Sequence, residues 1–401
     1  MMPWERSRLT SLQSSARLGA IDFLLGAGLV MTMGVPLPGR LALPTGEVVA
    51  VLLVVLAVFR RPKRDSSVLG AALLLTLLTL CFLAVTSVVN GIPDFDWIRR
   101  LVRITALVLL VGVCASERVE LRALIWGATA ALAVNIPLFY AGLVPASYGD
   151  YLTGIIDDKN VSGLFYAAVP LLLVATLRTP WIKATVLLVG TVPVFLTGSR
   201  TSMAAYACAL VWVLVTPRMS WGLRVLLLGA MAWMVSYAEE NLARIGIFSD
   251  RGGTDWLRAN IHEATRIKAA ETPWYGQGLT EALVQIDRQR WFFHDSYAGL
   301  WVEGGIVFTV AVLAAYVVFG LRFVNPQVRT PSRIAVEAAT MVVFVTAQQL
   351  GEVFVSITGM LVVAAGTVLY VEEKQAPRAA AVQRHHADRV RHRAEQRFTA
   401  G

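Results

Sequence analysis

Apolar runs of about 17–25 residues recur along nearly the whole chain, and each is long enough to cross about 30 Å of hydrocarbon as an α-helix. Backbone N–H and C=O groups meet no water at that depth, so a chain with many such runs must satisfy them within helices. The runs fall near 17–37, 42–59, 67–89, 99–115, 121–144, 161–177, 181–198, 201–217, 221–238, 295–321, 333–352 and 354–371. With 56% hydrophobic and 16% charged residues and a mean hydropathy of +0.61, the chain lies far from the composition of soluble globular proteins. The expected fold is therefore an all-α polytopic membrane protein of about twelve transmembrane helices. A single-anchor protein and a β-barrel are both excluded by this pattern.

Arginine and lysine in short loops remain on the cytoplasmic side. Arg60 to Arg64, Arg178 with Lys183, Arg218 with Arg224, Arg322 to Arg333 and the tail after Lys374 all fall on one side of a twelve-span arrangement. Both termini are then cytoplasmic, and the protein is expected in the cytoplasmic (inner) membrane. The organisation reads as spans one to nine over 1–238, an extracytoplasmic loop over 239–294, spans ten to twelve over 295–372, and a basic tail over 373–401. The first apolar run has no small-x-small exit and is expected to stay as span one. Topology and tail explain the net charge of +9, so no nucleic-acid partner is implied. The tail has no apolar stripe and is expected to be disordered or to lie on anionic head groups. Its histidines have no metal-ligand spacing, and Cys81, Cys114 and Cys208 lie in apolar runs where a thiol acts as a small apolar group.

The outer loop is more patterned than a linker. Trp256, Leu257, Ile261, Ala264 and Ile267 recur at helical spacing, predicting an amphipathic helix near 255–270 with Arg258, His262 and Arg266 as a basic stripe beside the apolar one. Such a stripe either holds the helix to acidic head groups or binds an anionic ligand, for which forked guanidinium donors suit a diphosphate. Arg200, in Thr197-Gly198-Ser199-Arg200-Thr201, opens a helix at the outer surface, where helix-start amides and an arginine make an anion site; the alternative is simple snorkelling. Lys159, after Asp157 and Asp158, has a similar place. Arg99, Arg100 and Arg103 stand at an outer end, against the positive-inside trend, and either guide an anionic lipid or pair with Asp94 and Asp96. His294 lies where the loop re-enters the apolar phase, and imidazole is the side chain best placed to move a proton near neutral pH.

Three blocks together resemble the O-antigen ligase and Wzy-type polymerase superfamily of bacterial envelope polysaccharide assembly. Leu196-Thr197-Gly198-Ser199-Arg200 is similar to that family's Thr-Gly-Ser-Arg turn between central spans. Arg258, followed by Pro273-Trp274-Tyr275-Gly276-Gln277-Gly278, is similar to its arginine and Pro-x-x-Gly-x-Gly element. His294-Asp295-Ser296-Tyr297 through Glu303-Gly304-Gly305 is similar to its His-Asn-x-Tyr and Glu-x-Gly. Asp295 replaces the usual Asn, Phe308 a common Gly, and His262 a frequent Trp, while Lys159-Asn160-Val161-Ser162-Gly163 resembles the Lys-Asn-x-x-Gly of exopolysaccharide polymerase-like members. Ligase and polymerase therefore both stay open.

The resemblance implies a metal- and cofactor-independent glycosyltransferase. It would act at the outer face of the membrane on a polyprenyl-diphosphate-linked glycan donor and a saccharide or lipid-glycan acceptor. Arg200 and Arg258 would hold the diphosphate and stabilise the charge that grows as the sugar leaves, with Arg266, Lys159 and Arg103 as further contacts. His294 would take the acceptor's proton, Asp295 would orient it, and Glu303 would be a buried partner for an arginine. The rival class is a transporter or flippase for a lipid-linked saccharide, whose usual marks are repeat symmetry and helices broken near mid-membrane. Neither is legible in the sequence.

Overall fold

The computed structural model describes residues 11–13, 19–37, 41–242, 252–322 and 329–375. The first part of the chain runs α1 (Ala20–Leu29), a hairpin of β1 (Gly34–Leu37) and β2 (Leu41–Pro44), α2 (Thr45–Val58), α3 (Gly70–Val89), α4 (Asp94–Ala115) and α5 (Leu121–Tyr140). Then follow α6 (Lys159–Thr176), α7 (Pro180–Leu196), α8 (Arg200–Val215), α9 (Trp221–Leu242) and α10 (Gly252–Glu271). A second hairpin, β3 (Leu283–Ile286) with β4 (Gln289–Phe292), leads to α11 (Ser296–Ala315), α12 (Pro331–Thr346) and α13 over 357–375. The chain is thus mostly helical.

α6 is the central element. Nearly every residue from Ser162 to Thr176 is buried, and α12, α7, α8 and α5 pack around it. At the periphery the pattern inverts. Leu73, Leu74, Leu75, Leu77 and Leu78 of α3 are each 52–58% exposed, over a broad face of a helix without a charge. Water does not tolerate such a surface, whereas lipid does, which marks the bundle as membrane-embedded. Among the described residues, four helices are long and apolar enough to cross a membrane: Ser67–Val89, Leu121–Tyr140, Lys159–Thr176 and Ser296–Leu321. Four others, Ala20–Leu29, Thr45–Val58, Pro180–Leu196 and Trp221–Val235, are apolar but shorter.

The basic connections meet at one end of the bundle. Arg64 pairs with Glu117 and with Glu372, near the end of α13; Arg322 and Arg333 both pair with Glu373; Arg329 reaches the Thr216 carbonyl after α8. Loops that the charge pattern assigned to one side are therefore neighbours in space.

Several elements differ from the sequence expectation. The run 17–37 is not one helix: α1 has ten residues, and Gly34–Leu37 forms β1, which pairs with β2 just beyond the run. Gly34, Pro36 and Pro44 explain this, since proline lacks the N–H that a continuing helix would need. α4 begins at Asp94 rather than 99, so Arg99, Arg100 and Arg103 lie within its opening turns. The outer loop contains the β3–β4 hairpin in addition to its helix, which runs over Gly252–Glu271. α11 is broken at Gly304 (φ −143°) and Gly305 (φ 56°) and ends in a π-helical turn over Tyr316–Leu321. The helix break that the sequence did not reveal is therefore present. Residues 243–251 of the outer loop and 376–401 of the basic tail lie outside the described residues.

Candidate functional site

α11 begins with a capped turn. Oδ1 of Asp295 accepts hydrogen bonds from the N–H groups of Tyr297 (2.8 Å) and Ala298 (3.2 Å), which have no partner inside the helix. Ser296 is clamped to the connection between α12 and α13: its N–H donates to the Ala347 carbonyl (2.8 Å), its hydroxyl to the Leu350 carbonyl, and it accepts from Val353 N–H (2.9 Å). Tyr297 adds a hydroxyl bond to the Phe344 carbonyl (3.0 Å). These contacts fix His294, just before the cap, in the wall of a cavity that Glu352 also lines.

His294 lines a cavity of about 450 Å³. Its other ionisable walls come from distant parts of the chain: Glu47 in the first turn of α2, Arg103 of α4, Asp158 before α6, and Glu352 between α12 and α13. Arg103 reaches Glu47 Oε1 at 3.2 Å with Nη1, and Glu352 with Nη2. Arg100 makes a forked pair with Glu303, 3.2 Å to Oε1 and 3.0 Å to Oε2, and meets Glu352 at 2.6 Å. A continuous network, Glu47–Arg103–Glu352–Arg100–Glu303, thus runs from the cavity wall into the bundle. The described partners of Arg100 and Arg103 are these glutamates, in place of the expected Asp94 and Asp96. Burial acts to raise the Glu352 carboxyl, but the charges of Arg100 and Arg103 outweigh it and hold the carboxyl at about 2.

Asp158 caps α6, with Oδ1 accepting from Asn160 N–H (2.7 Å) and Val161 N–H (2.9 Å) and Oδ2 from the Tyr148 hydroxyl (2.9 Å). The Lys159 ammonium lies over the rings of Tyr148 and Tyr151, at 5.6 and 4.9 Å. Tyr151 in turn packs on Gly198, whose φ of 62° makes the tight turn into α8, and Ser199 and Ser202 press against Gly163 of α6. Arg200 is half-buried in the first turn of α8. Lys159 and Arg200 therefore open two helices that touch, next to a residue of the cavity wall.

The Pro273–Gly278 segment and the Glu303-Gly304-Gly305 break form one unit. Gln277 N–H donates to the Val302 carbonyl (2.7 Å), Gly278 N–H to that of Glu303 (3.1 Å), and Ile306 N–H to that of Trp274 (2.8 Å). The segment thus satisfies backbone groups near the break in α11. Thr280 N–H also donates to Glu303 Oε1 at 3.1 Å, so Glu303, 2% exposed, is a buried anchor for Arg100 and for the outer loop.

α10 packs on the β3–β4 hairpin and the start of α11 through Ile261, buried with Val284, Phe293 and Val302. Trp256 and Ile267 of the expected apolar stripe are 62% and 46% exposed instead. His262 comes close to His294, with 6.5 Å between ring centroids. Arg266 points elsewhere: both it and Glu263 are exposed, and they pair at 2.8 and 3.0 Å, which lowers the Glu263 carboxyl. The backbone of Arg258 is on α10, but its side chain lies outside the described residues. The structure therefore brings His294, Arg103, Asp158 and the uncharted Glu47 and Glu352 together, sets Lys159 and Arg200 beside them, and leaves Arg266 apart. Glu47 and Glu352 escaped the sequence reading although the signal was present, a carboxylate at the edge of an apolar run. Neither a scan against protein-family models nor a search of curated proteins gives a match to this chain.

Proposed function

We propose that the chain is a membrane glycosyltransferase of the O-antigen ligase or polymerase type. It crosses the cytoplasmic membrane about twelve times with both termini inside, and transfers or polymerises a glycan from a polyprenyl-diphosphate carrier at the outer face. The observation that carries this reading is the placement of His294, at the start of a largely apolar helix, in the wall of a mostly apolar cavity of about 450 Å³ that also gathers Glu47, Arg103, Asp158 and Glu352. Carboxylates accept hydrogen bonds from hydroxyls, so Asp158, Glu47 and Glu352 suit a sugar. Three carboxylates against one paired guanidinium do not suit a diphosphate. The diphosphate belongs at the rim, where Lys159 and Arg200 open adjoining helices, with Arg258 of α10 as the further cation that the resemblance implies.

In the reaction an acceptor hydroxyl oxygen attacks the anomeric carbon. Its O–H bond breaks, the proton passes to the imidazole of His294, the new C–O bond forms, and the sugar–phosphate bond breaks with its electron pair leaving on the diphosphate. A single displacement inverts the anomeric centre. General-base catalysis is worth about 10²–10⁴-fold, and fixed cations at the leaving diphosphate stabilise the charge that grows there. Arg266, held by Glu263, takes no part, and Arg103 and Glu303 act by keeping the network in place.

The test is transfer by purified protein from a polyprenyl-diphosphate glycan to candidate acceptors. His294→Ala, Arg200→Ala and Arg258→Ala are each expected to cut the rate at least about 100-fold. Full activity in all three would refute the mechanism. A ladder of product lengths identifies a polymerase; a single addition to a distinct acceptor identifies a ligase. The break in α11 beside the buried Arg100–Glu303 pair favours a second reading, a transporter or flippase of lipid-linked saccharides, because discontinuous helices mark transport sites. Movement of the donor across vesicles without bond formation would establish that alternative.

A further inference from the structure

His262 brings a second imidazole to His294. The two rings are 6.5 Å apart between centroids with 39° between their planes, a spacing suited to one bridging water. Packing sets this distance: Ile261 and Phe293, the residues preceding the two histidines, are buried in the same small core between α10, the β3–β4 hairpin and α11. The charge of His262 also reaches Asp295, whose carboxyl is raised by burial and partly drawn back by the Ala298 and Tyr297 N–H groups and by His262.

Two imidazoles at this separation do not readily carry a proton each, because the second charge is added against the field of the first. We propose that His262 is a positioning residue for His294, keeping that imidazole neutral before transfer and taking its proton afterwards through one bridging water. This rests on reading the cavity as a glycan-transfer site. The proton taken from the acceptor hydroxyl leaves His294 for the water, the water gives one to His262, and His262 on α10 releases it to solution, so the enzyme returns to its starting state.

Other charged groups on the surrounding elements are Asp295 before α11 and Glu303 within it, Asp287, Arg288 and Arg290 in the β3–β4 hairpin, and Asp255, Arg258, Glu263, Arg266, Lys268 and Glu271 on α10. Glu47, Arg103, Asp158 and Glu352 stand around the cavity. Glu263 pairs with Arg266, and Glu47 and Glu352 pair with Arg103. His262 is the neighbour of the same kind as His294, titrating in the same range.

The experiment is ¹⁵N-histidine NMR of the full chain in lipid nanodiscs without substrate, comparing the wild type with His262→Phe and His262→Gln, alongside pH profiles of transfer. Removing His262 should raise the His294 titration midpoint by about one pH unit and shift the acid limb of kcat/KM in the same direction. Added imidazole should partly restore the rate of His262→Gln. Unmoved midpoints in both variants, with folding and transfer intact, would overturn the pair. A moved midpoint in a wild type that transfers no glycan would instead overturn the glycosyltransferase reading, and the proton-exit role with it.

Discussion

Glu352 shows how much one side chain can organise here. Its backbone is left-handed (φ 60°), unusual for a residue with a side chain, and its carboxylate bridges Arg100 and Arg103. Because its pKa is held below the ordinary glutamate value, to about 2, its contribution to stability is present above that ordinary value and is lost as pH falls toward 2. Glu352→Gln should therefore lower the melting temperature at pH 7, and the gap to the wild type should shrink from about pH 5 downward and close near pH 2. Scanning fluorimetry in detergent measures this, and a gap independent of pH would contradict the assigned pairing. His294 was legible in the sequence because an imidazole at an apolar boundary is conspicuous. The network was not. Arg100 and Glu303 are 203 residues apart, and nothing local in either tells which opposite charge it will meet.

At the scale of elements, α11 with its docked segment is the feature on which the site is mounted. A Cβ at Gly305 would strike the Trp274 carbonyl, and φ 56° would strain any L side chain. Gly305→Ala should destabilise the protein by about 1–3 kcal/mol and make the 273–280 segment accessible to protease, while Gly70→Ala, where a Cβ meets nothing, should do neither. Limited proteolysis with thermal melts decides this; equal behaviour of the two variants would contradict the docking. Both motif blocks were visible as glycine-rich sequence, but their mutual contact depends on a backbone kink that hydrophobic periodicity does not encode. The β1–β2 hairpin was missed for a related reason: apolar composition near Val35 and Leu37 looked continuous, whereas Gly34 and Pro36 decided the local backbone.

For the whole molecule, composition carried the class, because lipid acts on a bulk property that a sequence displays directly, and the loop charges supply an expected orientation that labelling tests. Single cysteines introduced at Asp150 and Asp287 into a chain lacking its own three should react with an impermeant thiol reagent in intact cells, and one at Lys63 only after lysis. The reverse pattern would invert the topology and place His294 on the wrong face for a lipid-linked glycan. The most direct measurement is steady-state transfer of glycan from a polyprenyl-diphosphate donor by purified wild type and His294→Ala. The expected result is inverted product from the wild type and a fall in kcat of at least about 100-fold in the variant, with donor binding retained. Undiminished kcat in a folded His294→Ala protein, or no bond formation by the wild type with donor and acceptor both bound, would contradict the account.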